Sequence, residues 1–407
     1  MREVQKLGNI QMIRNPEVDL SEVPELLSRG NTENVRHFHR SVPGYTATPL
    51  VELKDYAAKF GVKSVLVKDE SFRFGLNAFK GAGGIYALNR VICRHLGIDP
   101  AKSTLEMLQS SPYKEEIAKM VFITTTDGNH GKGVSWAAGL LGCRSYVFMP
   151  KGSVEVRAQA IRDVGTAEVR ITDMAYDDCV RYTAKLAEEK GWFLVQDTAW
   201  EGYEEIPFWI VQGYSTMIYE AAEQIRALGY EQPTHVFVQA GVGALAGGVA
   251  GAISNIYRDR IPTLSIVEPE ENACIFESAR QGDGKPHRSA GSQVTIMAGL
   301  NCGEPCTVTW PILDKLPSYY FAFPDTVAAR GMRVLAAPTG EDPKIISGES
   351  GAAAMGLVSL LLEKEEYRSF RKELGLDDNS VIFMVNTEGD TDPEGYRAIV
   401  YDGKYAM

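Results

Sequence analysis

The sequence has few cysteines, no excess of positive charge and no long apolar run, and each shortage excludes a class of protein. Six cysteines in 407 residues are too few for the disulfide framework of a small secreted domain. A formal net charge of −11 argues against a broad nucleic-acid-binding surface, because such surfaces are basic. The most apolar stretch, Val236–Ile253, contains Gln239 and five glycines, so a strand, a turn and a helix start suit it better than a membrane span.

The region Met1–Pro16 also lacks the continuous apolar segment of a secretory signal, so we expect a cytoplasmic protein. Cys302 and Cys306 have no second pair of metal ligands nearby, and we expect no metal site. Free thiols are the expected state of the cysteines. A disulfide or a redox role for Cys274 or Cys302 stays open at this point.

Short apolar runs alternate with amphipathic segments along most of the chain. Runs such as Ser64–Lys68, Val121–Thr125 and Val381–Val385 predict short buried strands, and segments such as Val154–Val164 and Gly351–Leu362 predict helices. Continuous apolar strands between helices indicate an α/β protein with mostly parallel sheets.

The length predicts two or three domains. A break at Ser110–Tyr113 and a turn at Gly202–Pro207 bracket about four strand–helix units. We therefore predict a small domain at 113–207 and a discontinuous large domain at 1–112 and 208–407.

Polar or glycine-rich turns directly follow four of the predicted strands. In parallel sheets, ligands bind beyond the carboxyl ends of the strands, near helix N-termini. The sequence therefore predicts one site surrounded by these turns, which are Asp127–Gly131, Asp197–Gly202, Ala240–Gly243 and Asn386–Asp390.

The third turn has the composition of an anion-binding loop. Gly241, Val242, Gly243 and Ala244 lie between an apolar strand and an apolar helix, where backbone N–H groups can bind a phosphate. The same residues also fit, loosely, the dinucleotide motif Gly-x-Gly-x-x-Ala, with Glu268 at the end of the next strand. A nicotinamide or flavin site, another phosphate site and simple close helix packing all remain open here.

Lys80 is a candidate nucleophile. Phe79 and Gly81 flank it, and the apolar segment Ile85–Leu96 follows. Such surroundings desolvate an amine, which lowers its pKa and favours attack on an aldehyde. The lysine is therefore a candidate for Schiff-base formation.

Three of these motifs stand in the order found in a known superfamily. Asn77–Gly81, Asp127–Gly131 and Gly241–Ala244 together resemble the fold type II pyridoxal phosphate enzymes, which include the serine and threonine dehydratases and the tryptophan synthase β subunit. The chain is most similar to the diaminopropionate ammonia-lyases among them. That closer resemblance is carried by Lys68–Ser71, Arg73–Lys80, Thr124–Gly131, Gln196–Tyr203, Ile296–Leu300, Ile346–Gly351 and Asn386–Asp392.

The resemblance implies a fold, a cofactor and an assembly. It implies two open, mostly parallel sheets in a large and a small domain with pyridoxal 5′-phosphate between them, and a homodimer. Lys80 would bind the cofactor covalently, Asn129 would hydrogen-bond the ring hydroxyl, and the amides of Gly241–Ala244 would bind the phosphate. Thr387 would contact the pyridine nitrogen, and a neutral hydroxyl there suits elimination chemistry.

Asp127 departs from the dehydratase pattern, in which a small or hydroxyl residue usually stands at this position. A carboxylate can form a charge-assisted hydrogen bond to the β-ammonium of 2,3-diaminopropionate and can exchange protons with it. Asp197, in another of the four turns, could do the same. Each aspartate could instead cap the helix that follows it.

The expected reaction is an α,β-elimination of a small amino acid substrate, 2,3-diaminopropionate, in both its D and L forms. Lys80 or Asp127, on opposite faces, removes the α-proton, the β-ammonia leaves, and hydrolysis gives pyruvate and a second ammonia. Three alternatives remain: a serine or threonine dehydratase, an NAD(P)-dependent oxidoreductase and a non-catalytic module that binds pyridoxal phosphate. We expect His130 to be structural.

Overall fold

The computed structural model describes residues 1–16, 18–20, 23–292 and 294–407. The chain folds into two compact units. The first unit comprises Met1–Ser28, Ala47–Phe72 and Met217–Met407, and the second unit comprises Arg29–Thr46 and Arg73–Thr216. In the described part of the chain, no helix is both long and apolar enough to cross a lipid bilayer.

The strands are short, as expected for an α/β protein. They are β1 (Gln5–Leu7), β2 (Ile10–Arg14), β3 (Leu50–Glu52), β4 (Ser64–Asp69), β5 (Val121–Thr125), β6 (Arg144–Met149), β7 (Ala167–Ile171), β8 (Phe193–Leu194), β9 (His235–Gln239), β10 (Thr263–Pro269), β11 (Tyr319–Phe323) and β12 (Val381–Asn386).

Helices separate most of these strands. They are α1 (Arg29–Arg40), α2 (Lys54–Phe60), α3 (Lys80–Leu96), α4 (Leu105–Leu108), α5 (Tyr113–Ile117), α6 (Asn129–Leu141), α7 (Glu155–Asp163), α8 (Tyr176–Lys190), α9 (Glu205–Ala227), α10 (Ala244–Ile256), α11 (Cys274–Gln281), α12 (Trp310–Lys315), α13 (Asp325–Ala336), α14 (Glu349–Glu363), α15 (Arg368–Leu374) and α16 (Pro393–Val400). Short 3-10 helices lie at Glu25–Leu27, Glu70–Gly75, Glu270–Asn272, Ala298–Leu300 and Glu365–Tyr367.

The first unit contains an eight-stranded sheet in the order β1-β2-β11-β10-β9-β12-β4-β3. Its centre, from β11 to β4, is parallel, and the strands outside it pair antiparallel. The central strands are rich in apolar residues because helices cover such sheets on both faces; Phe237, Phe321 and Ile382 are fully buried. Since β9 and β12 are parallel neighbours, the turns after Gln239 and Asn386 lie at the same edge of the sheet.

The second unit contains a four-stranded parallel sheet in the order β7-β6-β5-β8. Helix α3 crosses α6 at unusually close range. A Cβ atom added to Gly84 would lie 3.3 Å from the carbonyl carbon of Gly133, and one added to Gly133 would lie 3.1 Å from the Cα of Gly81. Glycines at these positions therefore let the start of α3, which is Lys80, approach the turn between β5 and α6.

The predicted α/β class with two open, mostly parallel sheets is confirmed. The predicted strands are present to within one or two residues, but β1, β2, β3 and β11 were missed. The domain division at 113–207 stays a prediction; the second unit also includes Arg73–Pro112 because α3 packs on α6.

Candidate active site

Lys80 is the first residue of α3, and its side chain is mostly buried in the second unit. Its amino group donates a hydrogen bond to the carboxylate of Asp197, with which it forms an ion pair. Close packing of α3 on α6 fixes the backbone of Lys80 at the start of α3. The amine of Lys80 is directed toward the carboxylate of Asp197.

Asp197 follows β8 and is buried. The side chain of Gln196, the preceding residue, joins this segment to β5: its oxygen accepts from the Thr125 amide at 2.9 Å and its nitrogen donates to the Thr125 carbonyl at 3.1 Å. The hydroxyl of Tyr203 accepts from the Gln196 amide at 2.9 Å. These bonds fix the backbone next to Asp197. Asp197 caps no helix, because the next helix starts only at Glu205.

His130 lies on the other side of Asp197. Its Nε2 is 2.8 Å from the Val195 carbonyl oxygen, so Nε2 carries the proton of the neutral ring, and its Nδ1 is 3.8 Å from the Asp197 carboxylate. Burial lowers the pKa of His130, which keeps the imidazole neutral near pH 7. Burial would by itself raise the pKa of Asp197, but the charge that the His130 ring gains at low pH and the ammonium of Lys80 bring it down to about 2.

Asp127 stands in the turn between β5 and α6. The hydroxyl of Thr126 accepts hydrogen bonds from the amides of Gly128 at 2.9 Å and Gly131 at 3.0 Å, so Thr126 satisfies the start of the helix. Asp127 makes no hydrogen bond with the described residues, and its carboxylate is left available to another partner.

The electrostatics of Asp127 are opposite to those of Asp197. Burial raises the pKa of Asp127 to about 7, Asp197 adds to the increase, and Arg157 and Lys80 oppose it. The side chain of Arg157, on α7, reaches the turn itself: a Cβ atom added to Gly128 would lie 3.4 Å from its Cδ. Two carboxylates near one lysine thus have pKa values displaced in opposite directions, a pattern typical of acid–base sites.

The first unit carries the predicted anion-binding loop. Gly243 has φ of +91°, which favours glycine, and a Cβ atom on Gly241 would lie 3.1 Å from the Cα of Leu300. The Cys306 amide donates to the Val242 carbonyl at 2.7 Å, while the N–H groups of residues 241–243 make no hydrogen bond with the described part of the chain. These amides, at the start of α10, are free to bind an anion.

Thr387 lies at the same edge of that sheet and is buried. Its hydroxyl oxygen accepts a hydrogen bond from Nε2 of Gln239 at 3.2 Å. Nε2 of Gln239 also lies 3.0 Å from the Val385 carbonyl and 3.1 Å from the Ser350 carbonyl, and its two N–H groups are shared among these three acceptors, so its amide is fixed in orientation. Since Gln239 is the donor, the Thr387 proton is left to be donated, and no described residue accepts it.

Comparison with known proteins gives these features a context. Residues 42–371 match the family model described as "Pyridoxal-phosphate dependent enzyme". The chain is 47% identical over 387 residues to the diaminopropionate ammonia-lyase of Escherichia coli strain K12. The aligned region covers 95% of each chain. The chain belongs to the diaminopropionate ammonia-lyase family of pyridoxal-phosphate dependent enzymes. The resemblance inferred from the motifs is thereby confirmed.

Two solved structures of the E. coli family member are closely similar to this chain. The complex with an aminoacrylate–pyridoxal phosphate azomethine intermediate has a TM-score of 0.90 at 45% identity, covering 99% of this chain and 100% of that one. The complex with D-serine has a TM-score of 0.91 at 44% identity, covering 100% and 99%. The fold type II architecture is confirmed by these matches.

Pyridoxal phosphate is the cofactor of the family, and the residues of this chain fit it. The first unit offers a phosphate loop with unengaged amides and a hydroxyl whose proton can point to a ring nitrogen. The second unit offers a directed lysine and, at the first position of α6, Asn129. The roles assigned to these individual residues stay predictions.

The dinucleotide interpretation of the glycine loop is not supported. Glu268 would have to accept a ribose hydroxyl, but its buried carboxylate already accepts from the amides of Ile275 at 2.9 Å and Phe276 at 2.6 Å. It is therefore used at the start of α11. The six cysteines are free thiols, Cys274 and Cys302 included, and the described residues contain no cluster of potential metal ligands.

The structure adds two residues that the sequence analysis did not select, Arg157 and Gln239. Gln239 had a visible signal, because a polar residue ends an otherwise apolar strand. Arg157 had none, since an arginine on an amphipathic helix is usually a solvated surface residue. The Nε atom of Arg157 is buried without a hydrogen-bond partner, and only the structure reveals this.

Proposed function

We propose that this protein catalyses the elimination of ammonia from D- and L-2,3-diaminopropionate. One substrate molecule and one water give pyruvate and two molecules of ammonia. The family match supports the reaction class. The observation that carries the proposal is the pair of carboxylates near Lys80, with a pKa of about 7 for Asp127 and about 2 for Asp197.

The cofactor residues follow from the donors described above. Lys80 would hold pyridoxal phosphate covalently, Asn129 would face its ring hydroxyl, the amides of Gly241–Ala244 would bind its phosphate, and Thr387 would donate to its pyridine nitrogen. When bound, the cofactor would supply an electron sink that makes the α-proton of the substrate more acidic.

Asp197 serves as the fixed negative charge of the site in this proposal. With a pKa of about 2 it stays ionised at neutral pH, so it cannot supply a proton. It instead holds the Lys80 ammonium and orients it, through the hydrogen bond between the two side chains. Lys80, in its uncharged amine form, then removes the α-proton of one enantiomer, and Asp197 holds the ammonium that this produces.

Asp127 serves as the second acid–base group. A pKa of about 7 lets its carboxyl group gain and lose a proton under working conditions, which is the requirement for general acid–base catalysis. As a carboxylate it removes the α-proton of the other enantiomer and holds the β-ammonium, which leaves as ammonia with the electron pair of the broken C–N bond. Because Thr126 makes the helix-capping bonds, Asp127 needs no other role in the turn.

The charge at Asp127 also explains the proposed preference for a diamino acid. A β-ammonium gains a charge-assisted hydrogen bond from the carboxylate, whereas the hydroxyl of serine or threonine is neutral. A charge-assisted bond is about twice as strong as a neutral one. We therefore expect 2,3-diaminopropionate to be turned over faster than hydroxy amino acids.

The decisive experiment measures pyruvate release by the cofactor-loaded protein from D- and L-2,3-diaminopropionate, with D-serine, L-serine and L-threonine as controls. 2-Oxobutyrate is measured for threonine. We expect rapid release from both diamino acids and slow release from the hydroxy acids. Preference for serine or threonine would assign the protein to the dehydratases and remove the role of Asp127 in specificity. Full cofactor binding with no turnover of any of these substrates would leave a non-catalytic binding module.

We also propose a homodimer located in the cytoplasm, with a small domain at 113–207. Closed symmetric dimers are the commonest assembly of soluble enzymes. The free thiols of all six cysteines suit a reducing compartment. Sedimentation analysis of the holoenzyme would test the dimer.

A further inference from the structure

A cavity of about 400 Å³ lies in the first unit. Helices α2, α13 and α14 form most of its walls. Helix α14 starts beside the active-site edge of the sheet, where Gln239 donates to the Ser350 carbonyl, and it ends in the cavity wall at Glu363. Fifteen helical residues span about 22 Å, so the cavity is near the opposite end of the helix.

Positive charge dominates the lining. Lys59, Arg330 and Arg333 line the cavity, and Glu363 is the single acidic residue among the lining residues. The charge of Glu363 is already in use: it accepts a hydrogen bond from the hydroxyl of Tyr56 at 2.8 Å and forms an ion pair with Arg330 at 2.5 Å. Glu363 therefore pairs with Arg330, and Lys59 and Arg333 are the cations of the lining that it does not pair with.

The two remaining cations have no acidic partner in the described part of the chain. Arg333 donates only to backbone carbonyls, those of Ile399 and Lys404 at 3.2 Å among them, and burial together with the neighbouring Arg330 lowers its pKa. The Lys59 ammonium lies 5.1 Å from the ring centre of Phe60 and makes no ion pair with a described residue. Both cations line the same pocket, so an anion bound there can contact each of them.

Apolar side chains form part of the remaining lining. Phe60, Val334 and Ala337 complete the wall next to the cationic groups. A volume of about 400 Å³ falls in the range of small-molecule sites, about 300–1,000 Å³. A cation pair beside an apolar wall matches a ligand with a carboxylate at one end and a short apolar body.

We propose that this cavity is a binding site for a small organic acid. The carboxylate contacts Lys59 and Arg333, and the apolar part of the ligand packs on Phe60 and Val334. None of the residues proposed for the reaction lines this cavity, and the proposal does not depend on the proposed reaction.

Isothermal titration calorimetry of the holoenzyme with benzoate tests the proposal, with inorganic phosphate as the second probe. Three variants are compared with the wild type. Lys59→Glu reverses a charge in the cavity, Ala337→Trp blocks its exposed rim while keeping every charge, and Lys63→Glu reverses an exposed charge outside it. Turnover without benzoate is measured for each variant to show that the active site is intact.

We expect benzoate to bind the wild type and Lys63→Glu alike, and to bind Lys59→Glu and Ala337→Trp at least about tenfold more weakly, since a charge-assisted contact is lost or the cavity is filled. Absence of binding to the wild type would overturn the proposal. Binding that survives both cavity variants would place benzoate elsewhere and overturn it as well. Equal binding of phosphate and benzoate would reduce the site to a simple anion site and remove the organic-acid assignment.

Discussion

The two units of the molecule offer different chemistry to a ligand. The groups of the first unit are neutral dipoles: backbone amides at Gly241–Gly243 and the Thr387 hydroxyl, fixed by Gln239. Those of the second unit are ionisable, with Lys80 and Asp197 paired and Asp127 at a displaced pKa. Neutral dipoles do not themselves change charge with pH, whereas proton transfer needs groups that change charge near the working pH. Substitutions in the second unit should therefore change rates and pH profiles, and those in the first should change cofactor affinity.

The largest effect should come from Lys80→Ala, which removes the proposed covalent anchor. We expect turnover of 2,3-diaminopropionate to fall by at least about 10³-fold, since nucleophilic and acid–base steps are both lost. The visible absorbance of the bound cofactor should change, and borohydride should no longer fix the cofactor to the chain. Lys102→Ala, at an exposed lysine of the same unit, is the control. A borohydride-stable label on the Lys80 variant would identify a different lysine as the anchor.

Asp127→Asn should lower kcat/KM by about 10²–10⁴-fold, the usual contribution of a general acid–base group. The wild type should gain activity as pH rises through about 7, because Asp127 must lose its proton to act as a base. The variant should lose that limb of the profile. Asp173→Asn, at an exposed position of the same unit, should keep both rate and profile. A limb near pH 7 that persists in Asp127→Asn would belong to another group.

The same substitution should make the protein more stable, which separates function from folding at this position. The pKa of Asp127 is raised from 3.8 to about 7 on folding, so the unfolded chain releases this proton first and stability falls as pH rises from about 4 to 7. The full shift corresponds to about 4 kcal/mol. Partial solvent contact reduces it, and we expect a gain of about 1–2 kcal/mol in the free energy of unfolding at pH 8.

Urea unfolding of the apo forms of the wild type and Asp127→Asn at pH 8 and pH 4 measures this effect. The difference should be present at pH 8 and nearly absent at pH 4, where both folded forms are uncharged at this position. A variant that is less stable at both pH values would show that the carboxylate supports the fold.

Arg157→Gln should have a smaller effect, confined to the pH profile. Arg157 opposes the increase in the pKa of Asp127, so its loss should move the rising limb of kcat/KM to higher pH, by about half a unit to one unit. Arg162→Gln is the matched control, because Arg162 lies on the same helix and pairs with Glu155 at the surface. An equal loss of rate at every pH, without a displaced limb, would mean that Arg157 has only a structural role.

The sequence predicted the central strands and their turns because apolar periodicity and glycine placement are local signals. It missed β11, whose aromatic run Tyr319–Phe323 stands between two prolines, and it missed the short edge strands, which carry little pattern. Candidate residues with a motif around them, such as Lys80, could be named in advance. Arg157 could not, because its importance comes from the packing of α7 against the turn at Gly128.

The choice between capping and catalysis also required the structure. An aspartate after a strand is an equally good helix cap and acid–base group in sequence terms. The Thr126 hydroxyl takes the capping bonds at the start of α6, and the late start of α9 leaves Asp197 no helix to cap, while the catalytic role of each aspartate stays a prediction. Which hydroxyl or carboxylate turns toward an amide depends on the backbone geometry of the folded turn.

Thr387→Val should have the smallest effect and tests the first unit. One hydrogen bond to the cofactor is lost, which is worth about 0.5–1.5 kcal/mol, so the Kd for pyridoxal phosphate should rise by about two- to tenfold. With the cofactor in excess, the pH profile should match that of the wild type, and Thr387→Ser should restore the affinity. Thr391→Val, whose hydroxyl contacts Glu388 at 3.3 Å, is the control. If Thr387→Val instead moved the rising limb of the kcat/KM profile away from pH 7, a neutral hydroxyl of the first unit would influence the pKa of the acid–base group. The contrast between the two units would then not hold.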